Sequence, residues 1–480
     1  MDYKIALIYP KTKEVEFEAA EVPYSVFFPA SFLQDKGINA KIFDQRITPL
    51  DEILRFIKKE GIPYVGISSM TGPQLKYAVE ASKKVKNIGT VKHVIWGGVH
   101  PTIEPESVIR QDYADFVVRG DGEETLYELL TALERNGSLA DIAGLTYKAG
   151  GNVKHNPDRP FLDLNRVSLK WELIDVGKYI SLEPSGKRSI AFITSRGCYH
   201  RCVYCWNTVF NKRTWRSWNI ENTKKEMEKL KSFGVTALNL FDDNIGSNKD
   251  YAFAVHDIIN RMGFSWFASL RVDFLKDDNI KRFRNCAGLY LGAESGSEEM
   301  LKLLNKDITP QDIINSAEAL KKYSIEGNYS WMVGFPGESD KDVEKTLDMV
   351  DRVHSILPGA AQRIRIYNPY PGSQLYGKAL KEGFVPPEKL EDWSYFSREY
   401  CTLDYVKHPW RLKCMSYVTY FYFYVDKRRK TKPVYRMAIN ILSFFSRLRW
   451  KNKFFSFPVE FYAIEKIREM LKLSGSKYGH

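Results

Sequence analysis

Twice along this chain, short runs rich in Val, Ile and Tyr alternate with helical stretches, and no other feature narrows the fold as far. The first round predicts strands at Lys4–Tyr9, Asn39–Phe43, Tyr64–Ser68, His93–Gly97 and Asp115–Arg119, with helices near 24–36, 49–60, 73–86 and 122–135. Such alternation implies parallel pairing, because each helix carries the chain back to the same end of the sheet. Residues 1–140 therefore read as an α/β, five-stranded, doubly wound (Rossmann-like) domain, with its ligand crevice at the carboxyl ends of the strands. Residues 141–188 break the pattern with Gly150-Gly151, Asn156-Pro157 and Pro184-Ser185-Gly186, and read as a linker with room for a small hairpin. The second round predicts strands at Ser189–Thr194, Thr236–Phe241, Trp266–Leu270, Gly288–Glu294, Gly327–Gly334 and Gln362–Asn368. Six βα units over 189–395 suit a partial (β/α)6 barrel, in which chemistry sits at the C-terminal ends of the strands.

Residues 396–480 are of another kind and are expected to be mostly helical. The last eighty residues hold 17 Lys and Arg against 5 Asp and Glu, which accounts for the whole net charge of +12. They also hold 18 aromatic residues, and the run SYVTYFYFYV (416–425) leads straight into DKRRKTK (426–432). Three readings compete for this region. Aromatics and cations suit nucleic acid; the same residues suit an anionic membrane surface, with Lys427, Arg428, Arg429, Lys430 and Lys432 on the head groups; or a helical cap closes the open side of the barrel. The density of Tyr, Phe and Ile favours an apolar partner over RNA, and no RNA-binding module is recognisable. No apolar run of about 18 residues is present, and no basic-then-apolar leader opens the chain. The expected address is the cytoplasm, with peripheral contact to the inner face of the cell membrane through 416–457.

Six cysteines in 480 residues exclude a disulfide scaffold. Cys198, Cys202 and Cys205 form C-x3-C-x2-C in TSRGCYHRCVYCW, directly after the first barrel strand. Three thiolates on one loop can hold three irons of a cubane and leave the fourth iron open to a small molecule. Zinc competes, with His200 as a fourth ligand, as do three unrelated reduced thiols. Cys286, Cys401 and Cys414 lack such spacing and suit ordinary packing.

This triplet, with Tyr204 before its last cysteine, resembles the signature of the radical S-adenosylmethionine (SAM) enzymes. The resemblance implies a [4Fe–4S] cluster on Cys198, Cys202 and Cys205, with SAM on the fourth iron. Reductive cleavage of SAM then yields a deoxyadenosyl radical, with flavodoxin or ferredoxin as the type of low-potential electron donor. The later strand ends agree with it. Asp242 and Asp243 stand where the family meets the SAM amino group, though an Asp-rich helix cap reads the same way. Arg271 either faces the SAM carboxylate or makes a surface salt bridge. Glu294 and Ser295 stand at the ribose position, and the loops with Gly334, Pro336 and Asn368 resemble those near the adenine.

A doubly wound domain followed by such a barrel resembles the cobalamin-binding subclass of the family, over about residues 1–395. Small residues gather at the carboxyl edge of the first sheet: Ser68, Ser69 and Thr71, then Gly97, Gly98 and His100, then Gly120, Gly122 and Glu123. They would admit a flat, bulky ligand, or they are ordinary βα turns; His100 either touches the corrin or supports its turn. The chain departs from the Asp-x-His-x-x-Gly pattern in one respect. Arg46 stands where that histidine would be, and a guanidinium cannot ligate cobalt. The implied cobalamin therefore has no histidine lower ligand from the protein. The function expected is methylation of an unactivated carbon of an apolar, lipid-like or isoprenoid small molecule, between barrel and first domain. Ring formation, carbon–carbon coupling or oxidation is the alternative. RNA methylthiolation is disfavoured because residues 1–150 hold no cysteine, and a cofactor sensor because of the SAM motifs.

Overall fold

The computed structural model describes residues 3–12, 20–396, 404–424, 433–457 and 459–463. The basic run from Lys427 to Lys432, and Cys401, lie outside them. The chain divides into two compact units, one of residues 1–198, 209–241 and 387–397, the other of 199–208, 242–386 and 398–480.

The first unit opens with the predicted strands β1 (Ile5–Tyr9), β2 (Ala40–Asp44), β3 (Tyr64–Ser68), β4 (His93–Gly97) and β5 (Phe116–Val118). Their order is β2-β1-β3-β4-β5, all parallel, with Ile5 opposite both Ala40 and Tyr64. The strands are buried almost throughout, which is why they read as apolar runs rather than alternations. Helices Tyr24–Asp35, Leu50–Glu60, Gln74–Lys86 and Gly122–Arg135 fall where the periodicity puts them. Left-handed Gly61 and Asn136 stop the second and fourth.

The sheet has seven strands rather than five. Strands β6 (Leu145–Ala149) and β7 (Asn152–His155) form the hairpin around Gly150-Gly151, and β6 pairs antiparallel with β5. Only Leu145 and Thr146 of this hairpin are buried, so its sequence carries little apolar signal. Pairing on an open sheet edge, a nonlocal cause, makes it a strand. The segment Leu390–Tyr395 also packs in this unit, with Glu391 on Lys83 (2.9 Å) and Trp393 5.6 Å from the His100 ring.

Later in the chain the first unit carries β8 (Ser181–Leu182), β9 (Arg188–Phe192), the ribbon β10 (Ser195–Gly197) with β11 (Trp215–Ser217), and β12 (Ala237–Leu240), parallel to β9. The ribbon escapes sequence reading because three residues per strand show no period. Gly197 makes it possible: its φ is +85°, and a side chain there would strike the Thr214 carbonyl oxygen.

The second unit holds β13 (Ser265–Arg271), β14 (Cys286–Glu294), β15 (Glu326–Val333) and β16 (Ala361–Ile366), parallel in that order. Capping boxes at Thr309 and Ser339 start helices Pro310–Lys322 and Asp340–Ile356. Helix Pro409–Thr419 runs on into a π-helical turn, Tyr420–Tyr424, and packs along β16; the Ile364 amide donates to Thr419 Oγ1 at 3.0 Å. This part of the aromatic tail covers a sheet edge that would otherwise expose unpaired amides. Among the described residues no helix is long and apolar enough to cross a membrane.

Candidate active site and cofactor loops

In the second unit the loop after Tyr199 is pinned by its own apolar residues. Val203 packs with Met300, Leu304, Phe335, Tyr367 and Leu375. Its amide donates to Leu304 O (3.0 Å), and its carbonyl accepts from Leu375 N (3.1 Å). The Cys205 amide donates to Cys202 O at 3.2 Å, so these two cysteines belong to one tight turn.

Around that turn the strand ends bring charge together. Arg271, at the end of β13, is buried and is not a surface salt bridge. Its Nη1 lies 3.8 Å from Cys202 Sγ, its Nε donates to Asp273 Oδ1 at 3.0 Å, and its Nη2 donates to the Lys306 carbonyl oxygen. At the end of β14 the register shifts between Gly292 and Glu294, and Glu294 takes φ +64°. A non-glycine residue held there is strained, and strain of this kind collects at functional sites. Glu294 Oε1 accepts from Tyr204 OH (3.0 Å) and Lys306 Nζ (3.0 Å). Burial opposes the Lys306 charge, but Glu294 and Cys202 outweigh it and hold its pKa above the ordinary lysine value. Burial, then the charges of Glu294, Cys202 and Cys205, push the Tyr204 phenol far up, so it stays a donor. Burial and the Arg271 charge push His200 down to about 4, leaving it neutral at physiological pH.

Lys306 escapes a reading confined to strand ends. Its signal is local: Asn305 and Asp307 both take left-handed φ (+48° and +53°), and Asn and Asp are the residues that tolerate it. The two turns drive the lysine between them inward.

Other residues singled out from sequence are placed as follows. Asp242 is buried and Asp243 exposed; neither caps a helix, because Asn248 caps Lys249–Met262. The Ser295 hydroxyl lies against Thr346 Oγ1 (3.0 Å) and accepts from Ser297 N. Gly334 and Pro336 are buried at the end of β15, and Asn368 Oδ1 is buried without a partner. Glu338, in the same loop as Pro336, accepts from Gly334 N at 2.5 Å through Oε2, while Oε1 is enclosed without a partner. Burial raises its pKa to about 8, against the lowering pull of the Gly334 and Phe335 amides.

Glu338 gives a pH prediction. Between about pH 4.5 and 8 the unfolded chain has lost this proton while the folded chain keeps it. Stability should therefore fall by a few kcal/mol as pH rises through that window, and level off above it. Glu338→Gln should remove this part of the slope, measured as the difference between variant and parent unfolding free energies at about pH 5 and about pH 8.

In the first unit Cys198 follows the ribbon. Arg196 on β10 donates to Asp121 Oδ1 and Glu123 Oε1, both at 2.9 Å, and Arg216 on β11 grips Asp121 at 2.7 and 2.8 Å. Burial opposes the Asp121 charge, but the two arginines outweigh it and hold its carboxyl below the usual range. The Gly120–Glu123 turn thus ties the sheet edge to the residues leading into Cys198. Neither arginine is found by scanning for strand-end motifs, although Arg196 lies within the SRGC run.

At the same sheet edge Gly98 has φ +98°, and a Cβ there would lie 2.7 Å from Ser69 O. Ser68 Oγ donates to Ser25 Oγ (2.8 Å), whereas Ser69 Oγ is buried without a partner. His100 is fully buried, with Nδ1 3.0 Å from Thr71 Oγ1 and Nε2 3.2 Å from Ser107 Oγ. Burial pushes it down to about 3, and both ring nitrogens face neutral hydroxyls, as a histidine supporting its own turn would. Arg46 is locked on Asp44 by bonds of 2.9 and 2.6 Å and stacks 4.4 Å from the Tyr9 ring centre. This loop offers no imidazole to a metal.

Two family models match the chain: the radical SAM superfamily over residues 192–350 and the B12 binding domain over 15–130. An uncharacterized methyltransferase of Pyrococcus horikoshii is 30% identical over 84% of this chain and 87% of its own length. The anaerobic magnesium-protoporphyrin IX monomethyl ester cyclase of Synechocystis is 26% identical over 66% of this chain and 64% of its own length. Among solved structures, the cobalamin-dependent SAM radical enzyme OxsB, with aqua-cobalamin and SAM bound, matches at a TM-score of 0.70 and 15% identity, over 98% of this chain and 75% of that one. The fold is therefore the doubly wound domain joined to a radical SAM partial barrel. The chain belongs to the radical SAM enzymes that carry a B12-binding domain, and its cofactors are a [4Fe–4S] cluster, SAM and cobalamin.

The residues present fit these groups. Among the described residues no three His, Cys, Asp or Glu side chains converge as a metal set. The donor chemistry suits a cluster nonetheless: Cys198, Cys202 and Cys205 are thiols rather than disulfides, and Arg271 and Lys306 set positive charge beside Cys202. The partnerless Asn368 Oδ1 suits SAM, and the partnerless Ser69 Oγ beside Gly98 suits the cobalamin edge.

Proposed function

We propose that this enzyme methylates an unactivated carbon of an apolar small molecule, lipid-like or isoprenoid in character. The observation that carries the reading is the 30% identity to a protein named as a methyltransferase, extending through both domains. When bound, the cluster supplies the electron that cleaves SAM, and cobalamin carries a transferable methyl group. The chain's own residues then have these roles. Cys198, Cys202 and Cys205 hold the cluster. Arg271 and Lys306 offset negative charge next to it. Tyr204 and Lys306 fix Glu294 as an acceptor at the end of β14. Ser69, Gly98 and Gly120 form the floor of the cobalamin edge, and Arg46, held on Asp44, offers cobalt no ligand from that loop. Flavodoxin or ferredoxin is the class of donor that fits, and the density of Tyr, Phe and Ile in the tail favours an apolar partner over nucleic acid.

Anaerobic turnover with SAM labelled in its methyl group should place label in the product and raise its mass by one methyl group. Deoxyadenosine without methylated product would reject the reading. Ring formation would then take its place, since the cyclase of Synechocystis is also a relative.

A further inference from the structure

Helix Pro433–Lys451 has two opposite faces, and among the described residues only one of them is packed. Leu442, Ser443, Ser446 and Trp450 are buried; Ser443 Oγ donates to Phe421 O at 2.8 Å, and Trp450 Nε1 donates to Asp351 Oδ1 at 2.5 Å. On the other side Met437, Ile441, Phe444, Phe445 and Leu448 are exposed, Phe444 by 59%, and beyond the helix Phe457 is exposed by 74%. At about 100° per residue those five side chains fall within an arc of about 100°. A surface helix that places two phenylalanines and three long aliphatic side chains on its outer face has no reason to do so in water alone. Contiguous apolar patches of this kind mark a contact surface.

Charge identifies the partner. The helix contains no acidic residue. Arg436, Arg447 and Lys451, all exposed, follow one another along one border of the arc. Between residues 426 and 457 the sequence has ten Lys and Arg and one acid, Asp426. An apolar face bordered by cations matches a bilayer interface with anionic head groups. Because no described helix can cross a membrane, the match is to a helix lying in the interface plane.

We propose that the exposed face of helix Pro433–Lys451 docks this enzyme on an anionic lipid surface, with the apolar arc at the acyl boundary and Arg436, Arg447 and Lys451 on lipid phosphates. The inference does not depend on the methyl-transfer reading, and its test uses no turnover.

The test is co-sedimentation of the full chain with vesicles of phosphatidylglycerol and phosphatidylcholine in equal parts, and with phosphatidylcholine alone. The expected result is strong binding to the first, weak binding to the second, and a decline as salt shortens the screening length. The triple variant Arg436→Gln, Arg447→Gln, Lys451→Gln should bind about a hundredfold more weakly, about fivefold for each charge removed. Phe444→Ser with Leu448→Ser should lower binding to both vesicles by about tenfold or more. These side chains are exposed, so the thermal melting of each variant should match that of the parent. Absence of binding to anionic vesicles at low salt would overturn the proposal. So would binding that both variants leave unchanged, or a dimer in size-exclusion chromatography that the Phe444 variant dissociates while vesicle binding is absent. That last result would assign the face to a second copy of the chain.

Discussion

Replacing Cys202 with alanine is expected to remove the iron–sulfur cluster and with it all reductive cleavage of SAM. Bound iron should fall from about four per chain after anaerobic reconstitution to a background value, because two thiolates do not retain a cubane. Deoxyadenosine formation should fall by about a thousandfold or more. Cys202 Sγ lies 3.8 Å from Arg271 Nη1, so its loss also leaves two buried cations facing a smaller negative charge. Cys414 and Cys286 provide the controls. Burial pushes the Cys414 thiol up to about 12, and Cys286 is pushed up by burial as well. Neither offers a thiolate, and their alanine variants should keep the parent's iron. Full iron in the Cys202 variant would remove the cluster assignment.

The second large effect concerns stability. Lys306→Met leaves Glu294 as a buried carboxylate whose cationic partner, 3.0 Å away, is gone. Breaking a buried pair from one side costs about 3–5 kcal/mol. The urea midpoint of unfolding should drop accordingly. Adding Glu294→Gln should recover much of the loss, since the neutral amide still accepts from Tyr204. The double-mutant cycle should therefore show a coupling of about 2 kcal/mol or more. A Lys306 variant as stable as the parent would mean that the pair is solvated and the charge arrangement around Cys202 is not what the distances indicate.

Lys306 also shows where sequence reading stops. The strands of the first round are legible because they are buried on both faces, and those of the second because runs bounded by turn residues alternate between buried and half-buried positions. Cys198, Cys202 and Cys205 are legible because they stand within eight consecutive residues at a recognisable spacing. Glu294 is legible as a carboxylate at a strand end. Its partners are not. Tyr204 lies 90 residues away and is joined to it through the tertiary fold. Lys306 reaches it only because Asn305 and Asp307 turn the chain the left-handed way. The hairpin β6–β7 likewise carries little apolar period and exists because β5 has an edge to offer.

By itself, then, the sequence determined the order of elements and the grouping of Cys198, Cys202 and Cys205 on one short stretch, since periodicity and spacing are local properties written in consecutive residues. The tertiary structure decided which charges meet. It buried Arg271, joined Arg196 and Arg216 to Asp121, set the His100 ring between two neutral hydroxyls and, among the described residues, left one face of helix Pro433–Lys451 exposed. Burial and charge pairing depend on residues far apart in the chain, and no window along the sequence contains them.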